Sequence, residues 1–313
     1  MAGSFMAPLW MALTVAAAMA QETETPIFRA NVAQVKVDVE VRQRNGRPIA
    51  GLTRGDFLVF DENQPRDIAY FGRESEPLDL LMLLDVSGSM RRSIEEMAAA
   101  AHKALAQLRS GDRVAVMLFA RSTEVTRSFT TDFRAAEQGF ERALRTQSLG
   151  AGTLINASII AAAQHMKNQA GKGRRAILIV TDNEGLNYQS PDEDVIRTLY
   201  EADTVLNAIV VRKGSRPQTP RPGRYVNPDF THPDVFKIAG QTGGEAVEGG
   251  KPGQWFAQMI ERIRSRYAIQ YAAPGGEPGS FRRIRVELSP AARRRYPDAV
   301  VSARAGYFLK RAG

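Results

Sequence analysis

Val35, Val37, Val39 and Val41 alternate with Lys36, Asp38, Glu40 and Arg42. That period of two puts the valines on one face of a half-buried strand. Asn45-Gly46 followed by Pro48 is turn chemistry, and a second turn at Arg54-Gly55-Asp56 leads into Phe57-Leu58-Val59-Phe60. Asn63-Gln64-Pro65 breaks that strand before Ile68-Ala69-Tyr70-Phe71. Four short strands at this spacing predict an antiparallel sheet, half of a sandwich.

After Pro77 the pattern changes. Leu80-Leu81-Met82-Leu83-Leu84 is an unbroken apolar run, as expected of a strand covered on both faces. Helical spacing follows from Ser93 to Leu108, with Ile94, Met97, Ala98, Ala101, Leu105 and Leu108 on one side. Gly111-Asp112 stops that helix before a second apolar strand over 114–119. The alternation repeats, predicting helices over 132–147, 154–169 and 192–202 and strands over 176–181 and 204–211. Strands alternating with helices mean a mostly parallel, doubly wound sheet flanked by helices, an α/β fold.

Residues 212–233 hold five Pro and five Lys/Arg, with no acid before Asp229, and read as a loop or insertion. Val235 to Gly243 is helical and ends at a Gly-Gly cap. Trp255 to Ile263 is a last amphipathic helix, and Tyr267-Ala268-Ile269-Gln270-Tyr271 a last strand. Pro274-Gly275-Gly276 and Pro278-Gly279 mark a linker. Beyond it Ile284, Val286 and Leu288 return to a period of two. This terminal strand, with the stretch from Val300-Val301 to Phe308, is expected to rejoin the N-terminal sheet. The expected organisation is an N-terminal β domain over 27–75, an α/β domain over 78–272, and a C-terminal β segment over 279–313 pairing with the first.

Ahead of these elements, Pro8 to Ala20 is almost wholly apolar and ends in Ala18-Met19-Ala20, the small-x-small pattern of a signal-peptidase site. Thirteen residues are too few to span a bilayer, which takes about 20. Residues 1–20 are therefore expected to be a signal peptide, although no Lys or Arg precedes the apolar run. The mature chain is expected to be exported, periplasmic or secreted, without a transmembrane segment.

Composition adds exclusions. The 313 residues include no Cys and three His (His102, His165 and His232), which removes disulfides, thiolate chemistry and zinc sites of close-spaced histidines. The net charge of +8 suggests an acidic or nucleic-acid partner until it is located. Residues 279–313 alone carry +7, leaving +1 for the rest. Arg282-Arg283 and Arg293-Arg294-Arg295 are dense enough to meet phosphates, but no interleaved aromatics offer base stacking, so nucleic acid is not expected.

The candidate chemistry gathers at three loops. The first strand of the α/β part ends in Asp85-Val86-Ser87-Gly88-Ser89-Met90, an acid and two hydroxyls at i, i+2 and i+4 leading into a helix. Short oxygen side chains at that spacing can all face one hard cation, although Ser-Gly-Ser ahead of a helix is also an N-cap pattern. Gly150-Ala151-Gly152-Thr153 precedes the 154–169 helix, where Thr153 could equally cap. Ile177-Leu178-Ile179-Val180-Thr181-Asp182 is a buried strand ending in an acid. All three sit where open α/β sheets place ligands, at the carboxyl ends of strands.

Together these residues resemble the von Willebrand factor type A (VWA) domain and its metal-ion-dependent adhesion site: Asp-x-Ser-x-Ser, a Thr after a Gly, and an Asp closing a buried strand. The resemblance covers roughly 78–272, including Ile238-Ala239-Gly240-Gln241-Thr242-Gly243-Gly244. It implies that Ser87, Ser89 and Thr153 hold Mg²⁺ or Mn²⁺ directly, with Asp85 and Asp182 acting mostly through water. The flanking segments look like those of a bacterial exported subset, with Asn45-Gly46-Arg47-Pro48 and Leu52-Thr53-x-x-Asp56-Phe57 at the start and Arg304-x-Gly-Tyr307 at the end. The family commonly has Gly directly after the third-loop acid. Here Asn183-Glu184 intervene before Gly185, and Asn tolerates the left-handed backbone such a turn needs.

The resemblance implies a non-catalytic adhesion-type module, in which a carboxylate of a partner protein completes the coordination of the ion. Arg91 and Arg92 could steer such a partner, or could simply be solvated at the helix start. Glu184 is a third candidate contact, which could instead reach the metal or face solvent. An enzyme is not expected: His102 lies roughly 20 Å down the helix from Ser87 and Ser89, and no other base is in sight. The alternative is an envelope scaffold with a vestigial metal site, binding anionic surfaces through its basic C-terminal β segment.

Overall fold

The computed structural model describes residues 33–310, apart from 73–75, 147–148, 172, 186, 218–226 and 228–229, together with Met1. The expected signal-peptide segment lies outside these residues, as does most of the Pro-rich stretch at 218–229.

The chain enters on β1 (Gln34–Arg42), whose four alternating valines are all buried. β2 (Phe57–Asp61) and β3 (Gln64–Arg66) form a hairpin closed by Glu62 and Asn63, both at positive φ (50° and 63°), and β4 (Tyr70–Gly72) follows. The segment around Pro65, expected to be a break, is thus an edge strand, a position that tolerates the missing amide donor of proline.

β5 (Leu78–Asp85) is buried along its whole length and occupies the middle of a six-stranded sheet. Its helix α1 (Arg91–Leu105) leads to β6 (Arg113–Phe119), and β7 (Thr123–Thr130) turns back antiparallel at the sheet edge. The chain then forms α2 (Phe133–Arg145) and α3 (Ile155–Gln169) before β8 (Arg174–Thr181), which lies on the other side of β5. After β9 (Asn187–Tyr188) and α4 (Asp192–Glu201), β10 (Val205–Val210) extends the sheet beside β8. β11 (Phe230–Thr231) pairs with β9 in a two-stranded ribbon, and α5 (Val235–Thr242) ends on Gly243 at φ 85°. β12 (Ala246–Glu248) completes the sheet, in the order β12-β10-β8-β5-β6-β7, parallel except for β7. α1, α2 and α6 (Pro252–Arg264) bury Met90, Met97, Phe140, Phe256 and Met259 against one face. α3, α4 and α5 bury Ile155, Ile159, Leu199 and Ile238 against the other.

The remaining elements return to the N-terminal strands. β13 (Tyr267–Ala272) pairs with β1 and β4. β14 (Phe281–Leu288) pairs with β2, and α7 (Pro290–Arg295) leads to β15 (Val300–Ser302) and β16 (Gly306–Phe308). The result is two four-stranded antiparallel sheets, β15-β1-β13-β4 and β16-β14-β2-β3, over one shared core. The α/β fold with an additional antiparallel β layer built from both chain ends is the architecture expected. Tyr267–Ala272 lies in this layer and not in the central sheet. Its pattern already says so, because Tyr267, Ile269 and Tyr271 are buried while Ala268 and Gln270 are not, the signature of a strand covered on one face. Among the described residues no helix is long and apolar enough to cross a membrane.

Candidate metal centre

The strand order sets the location. From β5 the chain runs to β6 on one side, and β8 then enters on the other. The loops leaving β5 and β8 therefore diverge in opposite directions and open a crevice at their carboxyl ends, the switch point where doubly wound sheets bind ligands.

Asp85, the last residue of β5, is 0% exposed. Its Oδ1 accepts the Ser87 amide at 2.9 Å and its Oδ2 accepts the Thr181 hydroxyl at 2.8 Å. Burial pushes its carboxyl up to about 6, the bonds from Ser87 and Thr181 opposing that rise. The bond to Ser87 folds the loop back on itself, and the single 3-10 turn Gly88–Met90, which includes Ser89, starts α1. The Ser87 and Ser89 hydroxyls lie 3.2 Å apart, and Ser89 donates to Asp182 Oδ2 at 2.6 Å. Asp182 Oδ1 in turn accepts the Glu184 amide at 3.0 Å. Asp85, Ser87, Ser89 and Asp182 thus stand together.

The second loop carries two glycines at positive φ, Gly150 at 96° and Gly152 at 92°. The amide of Leu154 donates to the Ala120 carbonyl at 2.9 Å, tying the loop to the end of β6. The N-cap of α3 is Leu154, with no side-chain cap, so Thr153 is not the capping residue. Thr153 backs against the third loop: a Cβ on Gly185 would lie 2.6 Å from its carbonyl oxygen.

Residues 80–185 match the von Willebrand factor type A domain family. The chain carries a VWA domain. Among solved structures it is similar to an aerotolerance-related membrane protein from Bacteroides fragilis (20% identity over 59% of this chain and 98% of that one, TM-score 0.45). It is also similar to a von Willebrand factor type A protein from Catenulispora acidiphila (14% identity, 91% and 76% covered, TM-score 0.44). A third is proximal thread matrix protein 1 from the mussel byssus, in a form with a zinc-occupied MIDAS motif (12% identity, 60% and 47% covered, TM-score 0.43). A comparison with curated proteins found no match.

The oxygen spacing of this VWA site suits a small divalent cation. Six oxygens at 2.0–2.1 Å from an ion form an octahedron whose edges are about 2.9 Å. The Ser87–Ser89 separation, 3.2 Å, is close to that value, and the Ser89 bond to Asp182 leaves Asp182 one step outside that octahedron. Among the described residues there is no cluster of three or more His, Cys, Asp or Glu that could hold a metal. Any ion at this site would therefore rest largely on hydroxyls.

The other residues singled out in the VWA sequence stand apart from this chain of oxygens. Arg91 and Arg92 point along α1 to Glu95 (3.7 Å) and Glu96 (3.5 Å), one turn on, with both side chains largely exposed. Glu184 is paired with Arg212. Asn183 adopts φ 58°, the left-handed backbone that lets the loop turn where the family commonly has glycine, and its Nδ2 donates to the Ser215 carbonyl. Two contributors were missed. Thr181 holds the buried oxygen of Asp85, and its signal was a lone hydroxyl closing the apolar run Ile177–Val180. Arg212 lies beyond β10, and no local pattern connects it to Glu184.

Proposed function

We propose that this protein is a divalent-cation-dependent protein-binding module, not an enzyme, exported to the periplasm or beyond. The observation that carries this reading is the array Asp85–Ser87–Ser89–Asp182 at the β5/β8 switch point, with Thr153 on the adjoining loop. Ser87, Ser89 and Thr153 would hold Mg²⁺ or Mn²⁺ directly, and Asp85 and Asp182 through water. Neutral hydroxyl ligands leave such an ion electrophilic toward an incoming carboxylate, so the partner presents Asp or Glu. Asp85, already anchored by Ser87 and Thr181, fixes the loop before any ligand arrives. Arg91 and Arg92 add long-range attraction for an acidic surface, moderated by Glu95 and Glu96. The VWA region is set into a β layer made from β1–β4, β13 and β14–β16.

The basic C-terminal segment speaks less for an anionic surface than its charge suggests. Arg282 is bonded to Asp61, Arg295 to Asp56, Arg293 to the Ala299 carbonyl and Arg304 to Asp203. Arg282, Arg293 and Arg295 thus bind within the β layer, and Arg304 ties it to the turn before β10.

The test is a thermal melt of the full chain in chelator and in Mg²⁺, Mn²⁺ or Zn²⁺. Wild type is expected to melt higher with metal, by an amount that grows with its concentration. Asp85→Ala, and the smaller changes Ser87→Ala and Thr153→Ala, should lose the response. A wild-type curve that ignores all three metals overturns the reading.

A further inference from the structure

The polar face of β1 does not simply end in solvent. Lys36 and Asp38 alternate with the buried valines, and β13 pairs Gln270 with Lys36 and Ala268 with Asp38. These four therefore share the face opposite the β-layer core. That face is turned onto the starts of β8 and β10, where Arg174, Arg175, Thr204 and Val205 help close a cavity of about 60 Å³. Lys36 is exposed, so the cavity reaches the surface there. The metal site lies at the other, carboxyl end of the central sheet.

Most charged groups lining this cavity are already engaged. Arg174 donates to the carbonyls of Ile263, Arg264 and Arg266, Arg175 to those of Gly171 and Ala202, and Arg304 to Asp203. Glu76 accepts the Tyr70 hydroxyl. Asp38 is different. Both its carboxylate oxygens are buried, and neither accepts a hydrogen bond among the described residues. No other buried acid among those residues leaves both oxygens unbonded. Arg174 lies 3.6 Å from Asp38 Oδ1, near enough to offset the charge but too far for a hydrogen bond. The Arg174 Nε also lacks a partner among the described residues. Buried polar groups left unbonded are costly, so a donor belongs at Asp38.

The unbonded atoms select the visitor. They ask for two donors, at Asp38, and one acceptor, at Arg174 Nε. Charge asks for no further cation. Lys36, Arg174, Arg175 and Arg304 already stand against Asp38, Glu76 and Asp203, and an ammonium or guanidinium at Asp38 would sit against Arg174. A hydroxyl is neutral and both donates and accepts. Two adjacent hydroxyls can serve both carboxylate oxygens and keep lone pairs for Arg174. A diol with its two carbons also suits a space of about two waters, each roughly 30 Å³. We propose that this cavity binds a vicinal diol of a polyol or saccharide, with Asp38 as the acceptor that recognises it. The site is independent of the metal-dependent reading.

The experiment is a methyl-detected NMR titration of the full chain, in chelator, with propane-1,2-diol, propan-1-ol, mannitol and methyl α-mannopyranoside. Propane-1,2-diol is expected to shift the methyl signals of Thr204, Val205 and Ala268 saturably, with a Kd on the order of millimolar. Propan-1-ol should bind about tenfold more weakly. Whichever of mannitol and the mannoside binds more tightly tells an open-chain polyol from a sugar ring. Asp38→Asn turns one acceptor into a donor, and Ala268→Ile fills the cavity while leaving Asp38 in place. Each is expected to weaken diol binding about tenfold or more, with folding checked by circular dichroism. If Asp38→Asn does not fold, Ala268→Ile and the wild-type titration decide. No saturable shift at the three methyls, equal binding of propan-1-ol, or unchanged diol binding in a folded variant overturns the inference and leaves a cavity for water only. None of these results bears on the metal response, which is read in separate melts.

Discussion

Thr181 shows how much one side chain decides at the residue scale. It is 0% exposed, and its hydroxyl both donates to Asp85 and accepts the Asn183 amide at 3.1 Å. It therefore links the first loop to the turn of the third. Thr181→Val keeps the shape and removes the donor, leaving a buried carboxylate oxygen unsatisfied at a cost of about 1–3 kcal/mol. The expected outcome is a lower melting temperature in chelator and a weaker metal response, measured in the same melts as Asp85→Ala. The sequence makes Asp85, Ser87, Ser89 and Asp182 candidates as short oxygen side chains at strand ends, and the resemblance to the VWA site joins them. It does not mark Thr181 or Arg212, whose roles come from what faces them across the crevice. Glu184 was open between metal, solvent and partner, and its pairing with Arg212 is a contact no local pattern encodes.

Among elements, the loops matter more than the strands they leave. Gly185 sits so close to the second loop that any side chain must push against the Thr153 carbonyl, a backbone atom with little freedom to yield. Gly185→Ala is expected to cost about 1–3 kcal/mol, the usual range for overpacking, and to displace Thr153. A circular-dichroism melt reads the first effect and the loss of the metal-dependent shift reads the second. Long buried strands and amphipathic helices were legible because their periodicity is strong: β5, β8, α1 and α3 lie within a few residues of expectation. β7 was not legible, since TEVTRSFT at the sheet edge carries neither a clean alternation nor an apolar run. α7 was hidden as well. Its sequence PAARRR looks like a charge run, and its helical state depends on the Ser289 cap and on Ala292 buried in the β-layer core.

For the whole molecule, the question is how the β layer is fastened to the VWA region. Arg304 donates to the carbonyls of Lys36, Tyr200 and Gly306 and to Asp203 Oδ1, while Lys310 pairs with Asp203 Oδ2 at 2.8 Å. Arg174 at the start of β8 donates to the carbonyls of Ile263, Arg264 and Arg266, capping the end of α6 where the chain crosses into β13. Burial alone would raise the Asp203 carboxyl, but Arg304 and Lys310 outweigh it and hold it below the ordinary carboxylate value. A carboxyl with a depressed folded pKa lends stability above its unfolded pKa and loses it as pH falls through the folded one. Asp203→Asn is therefore expected to melt lower near neutrality, by about 2 kcal/mol, with the gap to wild type closing as pH falls through the carboxylate range. A variant whose deficit stays constant down to acid pH would show that Asp203 contributes no charge-dependent anchoring. The sequence by itself determined the α/β alternation, the return of the C-terminal segment to an antiparallel layer, and the three loops with candidate oxygen ligands. These are read from periodicity and short-range spacing, which act within a few residues. Only the tertiary structure decided that Thr181 bonds Asp85, that Arg282, Arg295 and Arg304 pair with acids far away in the chain, and that Tyr188 and Phe230 meet. Each of those depends on partners far apart along the chain, and proximity of that kind exists only once the sheet order has brought them together.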